Sequence, residues 1–293
     1  MAIGEIFALS SAMVWAVAVI MYTRIGDTMP ALELNLVKNS IGFLLLALTA
    51  ITFESHQLPT MSMTDWTIVI ISGVIGIAIA DTFYMKALNT IGAGSTGVVA
   101  ALYSPFVIIL SMLYLGERLS IGQWFGLISV LTGVVFISLD KPSKKLTNKL
   151  LWAGISYGVL AVFLTAFGVV AVKPILEQQP FFWSSTTRLA AGVISMLIYL
   201  VLAGRWHKTR IELTKPHHWR SIIIASVLGA YLAMTLWLAG YKYADASIAA
   251  VLNETTSIFI VLLAWLILKE PLTKLKVTGT LCAIAGVIMI ITL

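Results

Sequence analysis

Residues 93–139 and 246–292 are one stretch written twice. Laid over each other at a constant offset of 153 and without a gap, they agree at Ala93/Ala246, Val98/Val251, Ser104/Ser257, Phe106/Phe259, Leu115/Leu268, Glu117/Glu270, Leu119/Leu272, Gly126/Gly279, Gly133/Gly286 and Val134/Val287. Each copy is a long apolar run, a short charged corner and a second long apolar run. The corners read Leu-Gly-Glu-Arg-Leu-Ser (115–120) and Leu-Lys-Glu-Pro-Leu-Thr (268–273). A duplication of this kind restricts the fold to two copies of one architecture.

Composition names the solvent. The chain is 59% hydrophobic and 11% charged, with a mean hydropathy of +0.98, whereas about a quarter of a soluble domain is charged. Backbone crossing hydrocarbon must satisfy its own hydrogen bonds, and the apolar runs last about 20 residues without alternating, so they are expected to be helices and not barrel strands. The net charge of +6 and pI near 9.4 do not point to nucleic acid, because the basic residues cluster in loops beside apolar runs and suit anionic headgroups. Cys282, the single cysteine, is expected to pack. The first span has no basic leader or small-residue cleavage site, which marks it as a permanent helix.

Ten spans follow, at about 3–22, 31–52, 66–88, 93–115, 121–139, 150–172, 181–203, 219–241, 246–268 and 275–293. A break is expected at Gly92-Ala93-Gly94, and the polar, turn-rich segment 141–149 is the midpoint linker. The early parts of the halves align at an offset of 150, pairing Gly4/Gly154, Ala16/Ala166, Pro30/Pro180, Lys38/Arg188 and Gly42/Gly192. Five spans per half is an odd number, so the second copy must lie upside down relative to the first. Loop charge agrees. Loops after odd-numbered spans hold Arg24, Lys86 and the basic clusters within 141–149, 205–220 and 269–276, whereas the opposite side holds Arg118, Lys173 and Lys242. The positive-inside rule then puts the first set in the cytoplasm and both termini outside. The expected fold is an all-α integral membrane protein of ten transmembrane helices in two inverted five-helix repeats.

With a Gly-Glu-Arg-Leu-Ser corner after span four and a Glu-Pro-Leu-Thr corner after span nine, each followed by a Gly-containing span, the chain resembles the EamA-type transporters of the drug/metabolite transporter superfamily. The resemblance covers essentially the whole chain. Lys269 stands where the first corner has Gly116, and Ile258 stands opposite Pro105. The resemblance implies repeats at 1–140 and 150–293 and secondary active transport of small polar metabolites such as amino acids, most often by export. It also implies alternating access around a midplane site and residence in a bacterial or archaeal cytoplasmic membrane. Import or exchange, a passive channel and a membrane-embedded enzyme are the alternatives. No cofactor and no nucleic-acid partner are expected; the partners are a small-molecule substrate, the lipid bilayer and protons as coupling ion, in a monomer or homodimer.

Polar side chains inside spans are the candidates for function, because a charge in hydrocarbon needs a cavity or a partner. Glu254 lies deep in span nine within the polar run Leu252-Asn253-Glu254-Thr255-Thr256. It could take up a proton or bind an ammonium, or it could be held by Asn253, Thr255 or a neighbouring helix. Lys38 and Arg188 occupy matched places in spans two and seven, which resemble the family's mobile gating helices. They could attract carboxylates to the mouths of a pathway, or snorkel to headgroups. Asp81 needs a partner, with Lys86 one choice, and its counterpart is Met234.

Trp15, Tyr84, Tyr103, Trp183 and Trp237 could stack on a flat or cationic substrate, or simply pack; Trp66, Trp152 and Trp219 read as interfacial anchors. Glu117 and Glu270 are expected to be structural, each capping the first turn of the span that follows its corner. Gly126 with Gly133, and Gly279 with Gly286, give spans five and ten close-packing faces, within the chain or in a dimer. His56, His207, His217 and His218 all fall in loops and form no catalytic or metal motif, so no metal site and no enzymatic centre are expected.

Overall fold

The computed structural model describes residues 2–56, 58–100, 102–138, 147–268 and 274–292, and all regular structure among them is helical. The helices are α1 (Ile3–Ile25), α2 (Ala31–Phe53), α3 (Met63–Gly73), α4 (Ala80–Ala100), α5 (Tyr103–Tyr114), α6 (Ile121–Ser138) and α7 (Asn148–Gln178). After them come α8 (Phe181–Leu202), α9 (Trp206–Thr214), α10 (Trp219–Ser226), α11 (Met234–Tyr243), α12 (Ala246–Asn253), α13 (Thr256–Leu268) and α14 (Lys274–Thr292). Wider π-helical turns join α3 to α4 (Val74–Ile79) and α10 to α11 (Val227–Ala233). Segments 3–25, 31–53, 63–91, 148–178, 181–202 and 219–243 are each long and apolar enough to cross a bilayer, and shorter apolar helices accompany them. Large apolar side chains such as Leu44, Leu48, Leu113, Phe125, Ile128 and Ile198 stand exposed on the helix flanks, as a chain solvated by lipid requires. This is a multi-pass, all-helical membrane protein.

Local chemistry sets the ends. Pro30 and Pro180 hold non-helical backbone ahead of α2 and α8, and Ser62 and Asp65 cap each other's amides at the start of α3. Gly116, at φ +70°, turns the corner after α5, a left-handed conformation that a Cβ would oppose.

Three expectations are made specific by the structure, and the second of them needs correction. The first concerns the break at 92–94. Helical geometry continues from Ala80 to Ala100, yet a Cβ on Gly158 would stand 2.8 Å from Val99 Cγ1 and 3.8 Å from Ala87 Cβ. Twelve residues of straight helix would separate those side chains by about 18 Å, so the chain does reverse between Ala87 and Val99, where the sequence places the end of span three, although the hydrogen-bonding pattern stays helical. The break in helical structure comes later, at Leu102, and its counterpart at the same 153-residue offset is the turn at Glu254-Thr255.

The second concerns Glu117. Its carboxylate accepts hydrogen bonds from the Ala246 amide (2.8 Å), the Ser247 amide (2.9 Å) and Ser247 Oγ (2.8 Å). It therefore caps α12 in the other half of the chain, not the helix that follows its own corner. Glu270 lies outside the described residues. Asp245 shares the α12 N-terminus, and burial, reinforced by the Glu117 charge, holds its carboxyl above the usual aspartate range.

The third concerns the glycine faces, whose contact is internal. A Cβ on Gly286 would meet Gly126 O at 2.5 Å, one on Gly126 would meet Gly286 O at 2.8 Å, and one on Gly133 would meet Gly279 O at 2.4 Å. Ser129 Oγ also donates to Cys282 O at 2.8 Å. Elsewhere the halves exchange their first helices: α1 packs on α10 to α13, and α7 packs on α3 to α5. The two halves are thus interlocked around a shared centre.

Gly286→Leu should force α14 away from α6 and lower stability by about 1–3 kcal/mol, while Ile288→Leu on the exposed flank of α14 should change little. Thermal unfolding of the two variants in detergent, followed by tryptophan fluorescence, measures the difference.

Candidate functional site

Where the halves meet, the helices enclose a cavity of about 190 Å³, the volume of roughly six waters. α1 contributes Ser11 and Trp15, α2 contributes Lys38, α4 contributes Asp81 and Tyr84, and α5 contributes Tyr103. The other half supplies Thr165 from α7, Gly229 and Ala233 from the second π-helical turn, Met234 and Trp237 from α11, and Asn253 and Glu254 at the α12–α13 break. Residues far apart in sequence and singled out separately thus share one chamber.

Broken and widened helices build this chamber. In a π-helical turn the backbone carbonyls fall out of register with the α-helical ladder, and side chains take them up. Asn35 Nδ2 donates to Ile77 O (2.9 Å) and to Thr82 Oγ1 (3.0 Å), and Ser11 Oγ donates to Ala233 O (2.9 Å). At the α12–α13 break Glu254, 7% exposed, accepts from Ser104 Oγ at 2.6 Å and from the Ser104 amide at 3.2 Å. Its partner is therefore neither Asn253 nor Thr255 but a neighbouring helix. Asn253 donates to Ala249 O (2.8 Å).

Lys38 is 1% exposed and does not snorkel. Its Nζ donates to Asp81 Oδ2 at 2.5 Å and to Asn39 Oδ1 at 3.4 Å, so Asp81 is paired with Lys38 and not with Lys86. The Lys86 ammonium lies instead over the rings of Phe83 and Tyr157.

Arg188 is buried just as deeply, again without snorkelling. Its Nε donates to Ser72 Oγ (2.8 Å), which passes a hydrogen bond on to Gly168 O (2.6 Å). The guanidinium carbon sits 5.6 Å from the Trp237 ring centre, within cation–π range, while Nη1 finds no hydrogen-bond partner among the described residues. Met234 and Trp237 face the cavity, whereas Thr235 and Leu236 line a wider recess of about 770 Å³ together with Phe181 and Phe182. α11 is therefore a wall between recess and cavity, and Arg188 rests against it.

Trp183 is not at the centre: its amide and indole N–H bind Glu54 at 3.0 Å each, fixing α8 to the 54–62 loop. Tyr103 and Tyr241 join hydroxyl to hydroxyl across the halves. Ser104, Ser72 and Tyr241 were not expected at the site. Ser104 carried a signal, a hydroxyl in an apolar run at a position repeated as Ser257, but nothing in sequence tied it to Glu254. No cluster that could hold a metal occurs among the described residues.

Replacing one member of the Lys38–Asp81 pair strands the other. Lys38→Met should cost about 3–5 kcal/mol, and adding Asp81→Asn should recover most of that loss. Melting temperatures of the two single variants and the double variant check this coupling.

Comparison with known proteins gives a consistent result. Residues 2–139 and 152–292 match the family described as EamA-like transporter family. An uncharacterized transporter of Synechocystis sp. is 24% identical over 244 residues, covering 81% of this chain and 68% of that protein. One of Methanothermobacter thermautotrophicus is 18% identical over 243 residues, covering 83% and 69%. A UDP-N-acetylglucosamine transporter of Canis lupus familiaris is 27% identical over 173 residues, 54% of this chain and 50% of that one. A solved crystal structure superimposes with a TM-score of 0.76 at 16% identity, covering 98% of this chain and 95% of the other, which establishes likeness of fold.

Proposed function

Because the chain belongs to the EamA-like transporter family, we propose that it is a secondary active transporter, exporting small polar metabolites of which amino acids are the favoured class. The observation that carries this reading is the central cavity, in which charged, amide and aromatic groups from both halves converge on a volume of about 190 Å³. Pockets for drug-sized ligands run to roughly 300–1,000 Å³, so a single metabolite of amino-acid size suits it better than the nucleotide sugar named for the dog relative.

In this reading residues 1–140 and 150–293 are inverted repeats joined by 141–149, and they rock about the cavity to give alternating access. Support comes from paired features: the helix breaks at Leu102 and Thr255, the π-helical turns beginning at Val74 and Val227, and the reciprocal contact of Gly126 with Gly286. Trp15, Tyr84, Tyr103 and Trp237 would hold the apolar part of the cargo. Asn253 and Asp81 would orient its polar groups. Lys38 and Arg188, at matched places in α2 and α8, would be the gate residues that attract carboxylates to the pathway. Glu254 would bind the cargo's ammonium or carry the coupling proton, because its side-chain partner among the described residues is a serine and a proton or a cation can take that place. Glu117 would keep its cap through the cycle, and Glu270 would serve at the other corner. By the positive-inside rule the basic, odd-numbered connections would face the cytoplasm of a bacterial or archaeal cell.

Efflux and counterflow from proteoliposomes with an imposed pH gradient test the reading, using amino acids, nucleosides, sugars and aromatic cations as candidate cargoes. The wild type should show saturable transport that responds to the gradient, and Glu254→Gln should lose that response. Full retention of coupled transport in Glu254→Gln would exclude proton handling by this residue, and non-saturable flux without counterflow would indicate a channel.

A further inference from the structure

The two repeats treat their buried cation differently. In the first, Lys38 of α2 is answered by Asp81, whose Oδ2 lies 2.5 Å from Nζ. In the second, Arg188 occupies the place of Lys38 at the 150-residue offset, but the place of Asp81 at the 153-residue offset is taken by Met234. A guanidinium 1% exposed therefore sits in the protein interior without a carboxylate partner among the described residues. Ser72 satisfies Nε, Trp237 takes the ring face, and Nη1 has no hydrogen-bond partner among the described residues. Asp81 is the acid whose charge acts on Arg188, and it is already bonded to Lys38. The Lys38–Asp81 pair is neutral within itself and Glu254 is bound to Ser104, so Arg188 is the cation here that no carboxylate adjoins among the described residues.

We infer that Arg188 is the anion-binding group of the transport site, and that an acidic group of the cargo takes, in the second repeat, the place that Asp81 takes in the first. The inference rests on the transporter reading and narrows its substrate class to small molecules carrying a carboxylate or phosphate. Three features fit. The unpaired atom is an N–H donor, and the planar guanidinium matches an oxyanion in two-point geometry. Trp237, whose ring Arg188 meets, and Met234 on the same helix both face the cavity, so a shift of this one wall opens a way to Nη1. Gly76 leaves room at the guanidinium, since a Cβ there would stand 2.8 Å from Nη2.

Matched probes separate the acid from the rest of the cargo: L-leucine against L-leucinamide, L-phenylalanine against L-phenylalaninamide, and phosphoethanolamine against ethanolamine. They are measured by thermal shift on the purified full-length protein and by counterflow in liposomes. The acid of at least one pair should bind and exchange about 10- to 100-fold better than its neutralised partner, and the responding pair distinguishes carboxylate from phosphate. Arg188→Lys should keep the preference for acid, and Arg188→Met should lose it. Should Arg188→Met fail to fold, Met234→Asp serves instead: it restores the ion pair of the first repeat, and should give a monodisperse, more thermostable protein that no longer selects acids. Equal response to acid and amide, or undiminished acid selection in Arg188→Met or Met234→Asp, overturns the inference while leaving the transporter reading in place. Failure of any compound, including the wider metabolite panel, to bind or exchange with the wild type overturns both.

Discussion

Backbone amides inside a bilayer have no water to turn to, so any departure from the α-helical ladder must be answered by the protein itself. Here the departures gather in one place. The π-helical turns at Val74–Ile79 and Val227–Ala233, the break at Leu102 and the break at Glu254-Thr255 all border the central cavity or the residues that line it. Three of the backbone groups there meet particular side chains: Ile77 O meets Asn35, Ala233 O meets Ser11, and the Ser104 amide meets Glu254. Irregular backbone supplies a polar interior, and helical backbone elsewhere keeps the flanks compatible with lipid.

The same constraint explains how the halves hold together. Apolar contact drives little association between helices already in hydrocarbon, so close backbone approach and hydrogen bonds must serve. α6 and α14 meet through glycines and through the Ser129–Cys282 bond. Near the corner at 115–120 the ties are polar: Glu117 to the α12 amides, Ser111 to Ser247, and Lys173 to the carbonyls of Tyr241 and Ala244. These bonds can be exchanged for others at modest cost, whereas the glycine interface cannot loosen without leaving voids. Such a division suits a molecule in which some interfaces stay fixed while others move.

The all-helical, multi-pass character was legible in the sequence because lipid demands long apolar runs. The candidate site was legible for a related reason: in so apolar a chain each polar residue inside a span stands out, and Glu254, Asp81, Lys38 and Arg188 stood out on that ground alone. Pairing was not legible. Lys86 lies five residues from Asp81, yet the partner is Lys38 on another helix, since partners are chosen by packing angle and not by distance along the chain. Glu117 misled for the same reason, its corner being nearest in sequence to α6 but nearest in space to α12. The break expected at 92–94 was read from glycines. The chain does turn between Ala87 and Val99, but it does so within backbone that stays helical.

The difference between the copies carries an energetic argument of its own. Leaving a buried donor unsatisfied costs about 1–3 kcal/mol, and more when the group is charged. Stacking on Trp237 returns up to about 2 kcal/mol in a desolvated setting, which offsets part of that cost but gives Nη1 no acceptor. A methionine at the position equivalent to Asp81 therefore makes the resting protein less stable than a second Lys38–Asp81 pair would. An exchange that lowers stability at one site, while the equivalent site in the other copy retains its ion pair, is the expected pattern where a ligand completes the interaction. Two identical pairs would leave both buried cations answered within the protein; one pair and one unanswered guanidinium leave a donor that a group entering from outside can meet.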